Sequence, residues 1–250
     1  MEPPPSVAKE GSAFGRMFNV LAAPGEVYQE IKEQPVNHAN WIVPAIVWAL
    51  TGITCILLLF SQDWAMYEIR KGQQKAMDQQ VRAGKMSQQQ ADQAAQFMER
   101  FMPIMVKVGG AVTILIMAFG LPFFWGFVIW LVGVRALKAD FEYMKGVEAA
   151  GLANIIYAVA GIIGTLISMA MGRFVYLSAA FSLKEFDFTS KQHFALAAIN
   201  PLYLWFAAVI ATAVAVFCGA SWGKAAAWVL GIWIISRAIL IVINLGQFTM

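Results

Sequence analysis

The sequence predicts an all-α, polytopic integral membrane protein with five transmembrane helices and a helical-hairpin loop between the first two spans. Composition is the first reason. Only 13% of the residues are charged and 60% are hydrophobic, whereas a soluble domain carries roughly 25% charged residues. The second is run length, because several uncharged stretches approach the ~20 residues a helix needs to cross a hydrocarbon core of roughly 30 Å. The third is the polar segment 61–107, whose apolar residues recur at helical spacing. A formal charge of +3 does not suggest nucleic acid as a partner. The lipid bilayer is the partner that composition implies.

Residues 1–40 form an N-terminal amphipathic, interfacial segment, and 41–250 the membrane domain. The opening "MEPPPSVAKEGSAFGR" has prolines and acids but no apolar core, so the first span itself is expected to direct insertion. In "SAFGRMFNVL", Phe14, Phe18 and Leu21 fall at helical spacing, with Met17 on the same face. In "APGEVYQEIKEQP", Pro24 suits a first helical turn, with Glu26 near the positive end of the helix dipole. Val27 and Ile31 lie one turn apart, and Pro35 ends the segment. A helix at the membrane surface and a short helix packed on protein both fit this pattern.

The first span is Trp41–Phe60, with tryptophans at both ends as aromatic-belt residues. The second runs from about Val108 to Val134, with Pro122 expected to kink it. The third is Val147–Gly172, the fourth Ala198–Gly219 and the fifth Ala225–Leu245. Five is an odd number, so the termini lie on opposite sides. Charge leaves the orientation open. With a cytoplasmic N-terminus, the inner segments hold seven basic residues and the outer ones ten, yet the short loop Arg135–Gly146 is the densest, with three in twelve.

Within 61–107, Ser87 and Gln90 form a capping box. Behind them Ala91, Ala94, Ala95, Met98, Phe101, Met102 and Met105 make one apolar stripe. Met66, Ile69, Met77 and Val81 suggest an earlier limb, and "RAGK" supplies the turn. Pro103 is expected to bend or break the second limb before the bilayer. Met98, Phe101 and Met102 are the candidate partner-docking residues.

Two stripes of small residues are candidate helix-packing faces: Ala160, Gly164, Ser168 and Gly172 on the third span, and Ala207, Ala211, Ala215 and Gly219 on the fourth. Small side chains at i and i+4 let backbones approach closely where lipid supplies no hydrophobic force. Arg237 falls about midway along the fifth span, where a charge is costly and marks a candidate functional residue. Glu148 is the nearest acid by composition, but the two depths disagree. Asn154 and Asn200 are further intramembrane polar candidates, with Thr165 and Asn244. Lys107 is expected to snorkel to the interface.

No catalytic, cofactor-binding or metal site is predicted. His38 and His193 lack a second ligand at metal spacing, Cys55 and Cys218 lie far apart in spans, and there is no phosphate-cradling loop or nucleophile elbow. The paired carboxylates Asp140 and Glu142 read as a solvated loop face.

The leader "LAAPGEVYQEIKEQP" before a Trp-led first span resembles the Yip family of Ypt/Rab-interacting membrane proteins, in its bacterial form. "NPLYLWFAAVIATAVAVFCGASWGKAAAWVLGIWII" is similar to the family's last two spans, and "VRALKADFEYMKGVEAAGLANIIYA" to the stretch before its third. The resemblance covers nearly the whole chain apart from the hairpin. It implies a five-helix domain in the bacterial cytoplasmic membrane, with the N-terminus cytoplasmic, and the hairpin and the C-terminus on the opposite side. Eukaryotic relatives bind prenylated small GTPases. The tyrosine-glycine motifs of that branch are not evident here, so GTPase binding is not carried over. Some bacterial members serve as accessory subunits of export systems of the ATP-binding-cassette type. The expectation is therefore a non-enzymatic scaffold or accessory subunit. The rival is a transporter or channel for a small solute, using Arg237 and the kinked second span.

Overall fold

The computed structural model describes residues 11–183, 186–187 and 190–243. All regular structure among them is helical. Helix α1 spans Ala13–Ala22 and α2 Pro24–Glu33. The Ser12 hydroxyl accepts the Gly15 N–H at 3.0 Å to start α1, and Pro24 occupies the first turn of α2, where no backbone donor is needed. Arg16 donates to Glu30 at 2.8 Å and also to Gln34, which clamps the pair together. The inward faces of α1 and α2 (Met17, Val20, Val27, Tyr28 and Ile31) are buried against the bundle, while Phe14 and Phe18 point outward.

Helix α3, Ala39–Leu59, is the first span. Helix α4, Asp63–Arg82, leads through a turn at Gly84 (φ 68°) into α5, Gln88–Leu131. The capping box forms as read: Ser87 Oγ accepts from Gln90 N, and Gln90 Oε1 accepts from Ser87 N. Helix α5 is continuous over 44 residues, so Pro103 does not break it before the bilayer, and Pro122 lies inside the second span as read. A proline removes its own N–H and crowds the carbonyl four residues back, and the hydrogen bonds on either side carry the helix on. At about 66 Å it is twice the thickness of a hydrocarbon core, so hairpin limb and second span are one continuous helix. A π-helical turn, Val132–Ala136, ends it.

The third span is also corrected. It begins at Tyr143 and consists of two helices, α6 (Tyr143–Ala153) and α7 (Ile155–Met171), with Asn154 between them. Helix α6 is buried all round, from Lys145 to Ala153 without interruption. Glycines permit this. A Cβ on Gly126 of α5 would stand 2.7 Å from the Val147 backbone, and one on Gly146 2.6 Å from the Gly126 carbonyl oxygen. A Cβ on Gly151 would overlap Trp41 of α3. After a 3₁₀ turn at Ala179–Ser182, α8 (Lys191–Ala198) precedes α9 (Pro201–Cys218) and α10 (Trp222–Val242), the last two spans.

These directions give the bundle two faces. On the N-terminal face lie α2, the α5–α6 turn and the α9–α10 turn: Lys32 Nζ donates to Val216 O at 2.8 Å, and the Phe141 ring is 5.4 Å from Phe217. On the hairpin face lie α4, the segment after α7, and α8. There Trp64 meets Phe174 at 5.3 Å, Lys75 reaches Asp187 at 3.8 Å, and Lys191 Nζ donates to Val242 O at 3.1 Å.

Candidate functional site

Two polar constellations lie inside the bundle, one toward each face. On the N-terminal side, Glu148 is 1% exposed. One oxygen accepts from Lys145 Nζ at 2.9 Å, the other from Asn40 Nδ2 at 2.5 Å, and Lys145 also donates to Ile31 O. The four groups come from α2, α3 and α6. A carboxylate and an ammonium removed from water are tolerable only when paired and hydrogen-bonded. The cluster therefore pins three helices where α6 enters the bundle. The Tyr28 hydroxyl, donating to Ala149 O at 3.2 Å, adds a further tie to α6. Glu148 thus does not pair with Arg237, with which composition had matched it. Lys145, three residues before Glu148 and on the same helical face, was the overlooked partner. Asn40, at the start of α3, carried no local signal.

Arg237 belongs to the other constellation, and its depth is corrected. Lys191 holds the end of α10 at Val242, which leaves Arg237 about 8 Å from that end rather than midway along the span. Its guanidinium carbon lies 5.6 Å from the Trp233 ring and 6.0 Å from the Tyr203 ring. It lines a cavity of about 710 Å³ between α3, α5, α7, α9 and α10. Asn200, Tyr203 and Ser236 share its end, and Trp48, Met117 and Trp125 form part of the deeper, apolar walls. Thr165 is on the wall as well.

The remaining candidates divide between packing, capping and this cavity. Ala160 and Gly164 face the cavity, and a Cβ on Gly164 would find only Leu177 Cδ1 at 4.0 Å. Ser168 Oγ accepts from Val175 N at 3.0 Å, holding the chain where it leaves α7. Gly172 (φ 60°) and Gly219 (φ 59°) end α7 and α9 in the left-handed conformation that favours glycine, so both act as caps and not as packing surface. Ala207 and Ala211 are fully buried in the core and Ala215 is half-buried against it. The closest backbone approaches in the bundle fall elsewhere, at Gly126, Gly146 and Gly151. Asn200 caps α9, its side-chain oxygen accepting from Leu202 N at 2.9 Å. Asn154 is fully buried, and neither polar atom of its side chain has a hydrogen-bond partner among the described residues. Asn244 lies outside the described residues.

In the hairpin, Met102 is buried, Met98 half-buried and Phe101 at the edge of exposure, while Phe97 and Tyr67 stand out at 57% and 64%. A cleft of about 690 Å³ separates α4 from the segment after α7, with Lys71, Lys75 and Arg173 on its walls. Among the described residues no group of three or more His, Cys, Asp or Glu side chains is placed to hold a metal ion. Cys55 and Cys218 are free thiols.

Among the described residues, five helices long and apolar enough to cross a bilayer, with a buried ion pair and a cavity between them, define a multi-pass helical membrane protein. The chain belongs to the Yip1 family: the family model for the Yip1 domain matches residues 18–243, from α1 to the end of α10 and through the hairpin. No curated protein and no solved structure matches it.

Proposed function

We propose that this protein is a non-enzymatic membrane subunit that binds other membrane proteins through its hairpin, as an accessory component of an exporter of the ATP-binding-cassette type. The observation that carries the reading is the continuity of α5. Because limb and span are one continuous helix, a partner held on the hairpin is joined to the bundle with no intervening loop. Exposed Tyr67, Phe97 and Phe101 supply apolar contact area there, the residue types enriched at interface cores. In this reading the chain sits in the bacterial cytoplasmic membrane with its N-terminal face toward the cytoplasm, so the hairpin meets extracytoplasmic portions of its partners. The GTPase-binding role of eukaryotic relatives is not part of it.

The test is extraction in mild detergent and identification of the proteins that co-purify. Exporter subunits are expected with the wild-type chain and lost with a Phe97→Glu, Phe101→Glu double variant that keeps its own elution volume. A chain that purifies alone from its native membrane overturns the reading. The second reading, a carrier of a small solute, is favoured by the cavity at Arg237. It requires flux in vesicles containing this chain alone, abolished by Arg237→Leu.

A further inference from the structure

Building on the reading that the hairpin holds other membrane proteins, we infer that the exposed side of α5 docks a membrane-spanning helix of the partner. That helix, like α5, continues past the bilayer on the hairpin face. The docking face is a stripe that begins at Phe97 and runs through Phe101, Ile104, Val108, Val112 and Leu115 to Phe119. Its steps of three and four residues keep it on one side of the helix. With Met105 and Ile116 on its edge, these side chains are 36% to 63% exposed.

Depth decides what can cover it. Helix α3 runs antiparallel beside α5. The Trp41 ring is 5.0 Å from Phe123, a Cβ on Gly52 would stand 2.8 Å from Ile114, and one on Gly110 3.0 Å from Ile56. Leu59, the last residue of α3, is therefore level with Lys107. Because α3 is the first span, the hydrocarbon ends on α5 near Lys107, the residue expected to snorkel. Phe97, Phe101 and Ile104 stand outside it, and Val108 to Phe119 inside. Lipid would cover the inner part and leave the outer one in water. A partner confined to the space beyond the bilayer would do the reverse. A helix that itself crosses the boundary covers both, over about 33 Å.

Size and charge fit one such helix. At roughly 200 Å² for a large apolar side chain, the stripe and its edge leave on the order of 900 Å² uncovered. A stable interface takes about 800 Å² from each partner. No position of the stripe is charged. Arg100 borders it, its guanidinium carbon 5.4 Å from the Phe101 ring. The complementary side is therefore apolar at both depths and takes an acidic group only beside Arg100 or Lys107.

The test places p-benzoylphenylalanine at Ile104, at Leu115 or at exposed Leu166 of α7 in the full chain, followed by irradiation of native membranes. Both stripe positions are expected to capture the same exporter subunit. Mass spectrometry should locate the Leu115 adduct in an uncharged run of about 20 residues. The Ile104 adduct should lie about eleven residues away along the same helix, matching the separation on α5. Leu166 should capture lipid alone. Leu115→Gln, with its elution volume unchanged, should cut the Ile104 adduct by about tenfold, the cost of burying an unpaired amide. Leu166→Gln should leave that adduct intact. An exporter subunit captured at Ile104 with lipid alone at Leu115 overturns this inference and leaves the hairpin reading standing. Equal capture of that subunit at Leu166 does the same. Adducts to a second copy of this chain at both stripe positions, or no exporter adduct at Ile104, overturn both.

Discussion

The two ends of the membrane bundle are built by opposite rules. Toward the N-terminal face, α6 is gripped on all sides, its glycines touch the backbones of α3 and α5, and its one buried carboxylate is fully paired. Toward the hairpin face, α7 continues the same span, yet its glycines meet almost nothing and the arginine at that level sits at the rim of a cavity. The tighter half of the span, α6, is the less apolar of the two, carrying Lys145 and Glu148, so apolarity does not explain the difference. Where backbones touch, the bundle is closed; where side chains are small and neighbours stand back, a cavity remains. Close packing stores the stability of the fold, and the tight end holds the frame around the relaxed one.

Mutations that break the contrast should rank accordingly. The largest effect is expected from Lys145→Met, which leaves Glu148 buried without its counter-charge and should cost about 3–5 kcal/mol, read as a fall in the midpoint of denaturant unfolding in detergent. Replacing both partners, Lys145→Met with Glu148→Leu, should recover much of that loss. Gly126→Ala comes next. Its new methyl would meet the Val147 backbone at 2.7 Å, and overpacking of this kind costs about 1–3 kcal/mol. Ser87→Ala should cost about 1 kcal/mol by removing the cap of α5, and should fray the hairpin limb in hydrogen exchange without disturbing the bundle. Gly164→Leu should be the smallest, within about 0.5 kcal/mol, because the space it enters is already vacant. Equal losses for Gly126→Ala and Gly164→Leu would erase the distinction between the two ends.

A pH dependence sharpens the account of the N-terminal face. The hydrogen bond from Arg16 holds the Glu30 carboxyl below its ordinary value of 4.5. A folded pKa below the unfolded one adds stability that is fully present above the unfolded value and is lost as pH falls through the folded one. The α1–α2 clamp should therefore loosen only below about pH 4.5. Arg16→Gln should abolish that acid limb in a plot of stability against pH, with little change in slope above pH 5.

Much of this was legible in advance where the signal was local. The Ser87–Gln90 cap, the helical period of the hairpin and the apolar length of each span are written in consecutive residues, and each has its counterpart in the structure. The break offered at Pro103 was not: Pro103 sits inside one helix because losing one donor does not end a helix whose hydrogen bonds continue on either side. The stripe through Gly164 and the stripe through Ala211 are indistinguishable as patterns, yet one borders a cavity and the other is buried in the core. Glu148 and Arg237 show the same division. Each was conspicuous as a buried or intramembrane charge, but the identity of a partner depends on which helix end lies at which depth.

The sequence by itself determined that this chain crosses a membrane five times, carries a capped helical hairpin and belongs with the Yip-type membrane proteins. Those properties follow from burial preference and hydrogen-bond capping, which act over one or two turns. Only the tertiary structure decided that α6 is the tight centre, that Lys145 and Asn40 answer Glu148, and that Arg237 lines a cavity. In lipid, helices are sorted against one another by shape and not by hydrophobicity. The meaning of each small or charged residue is therefore set by the neighbour across from it.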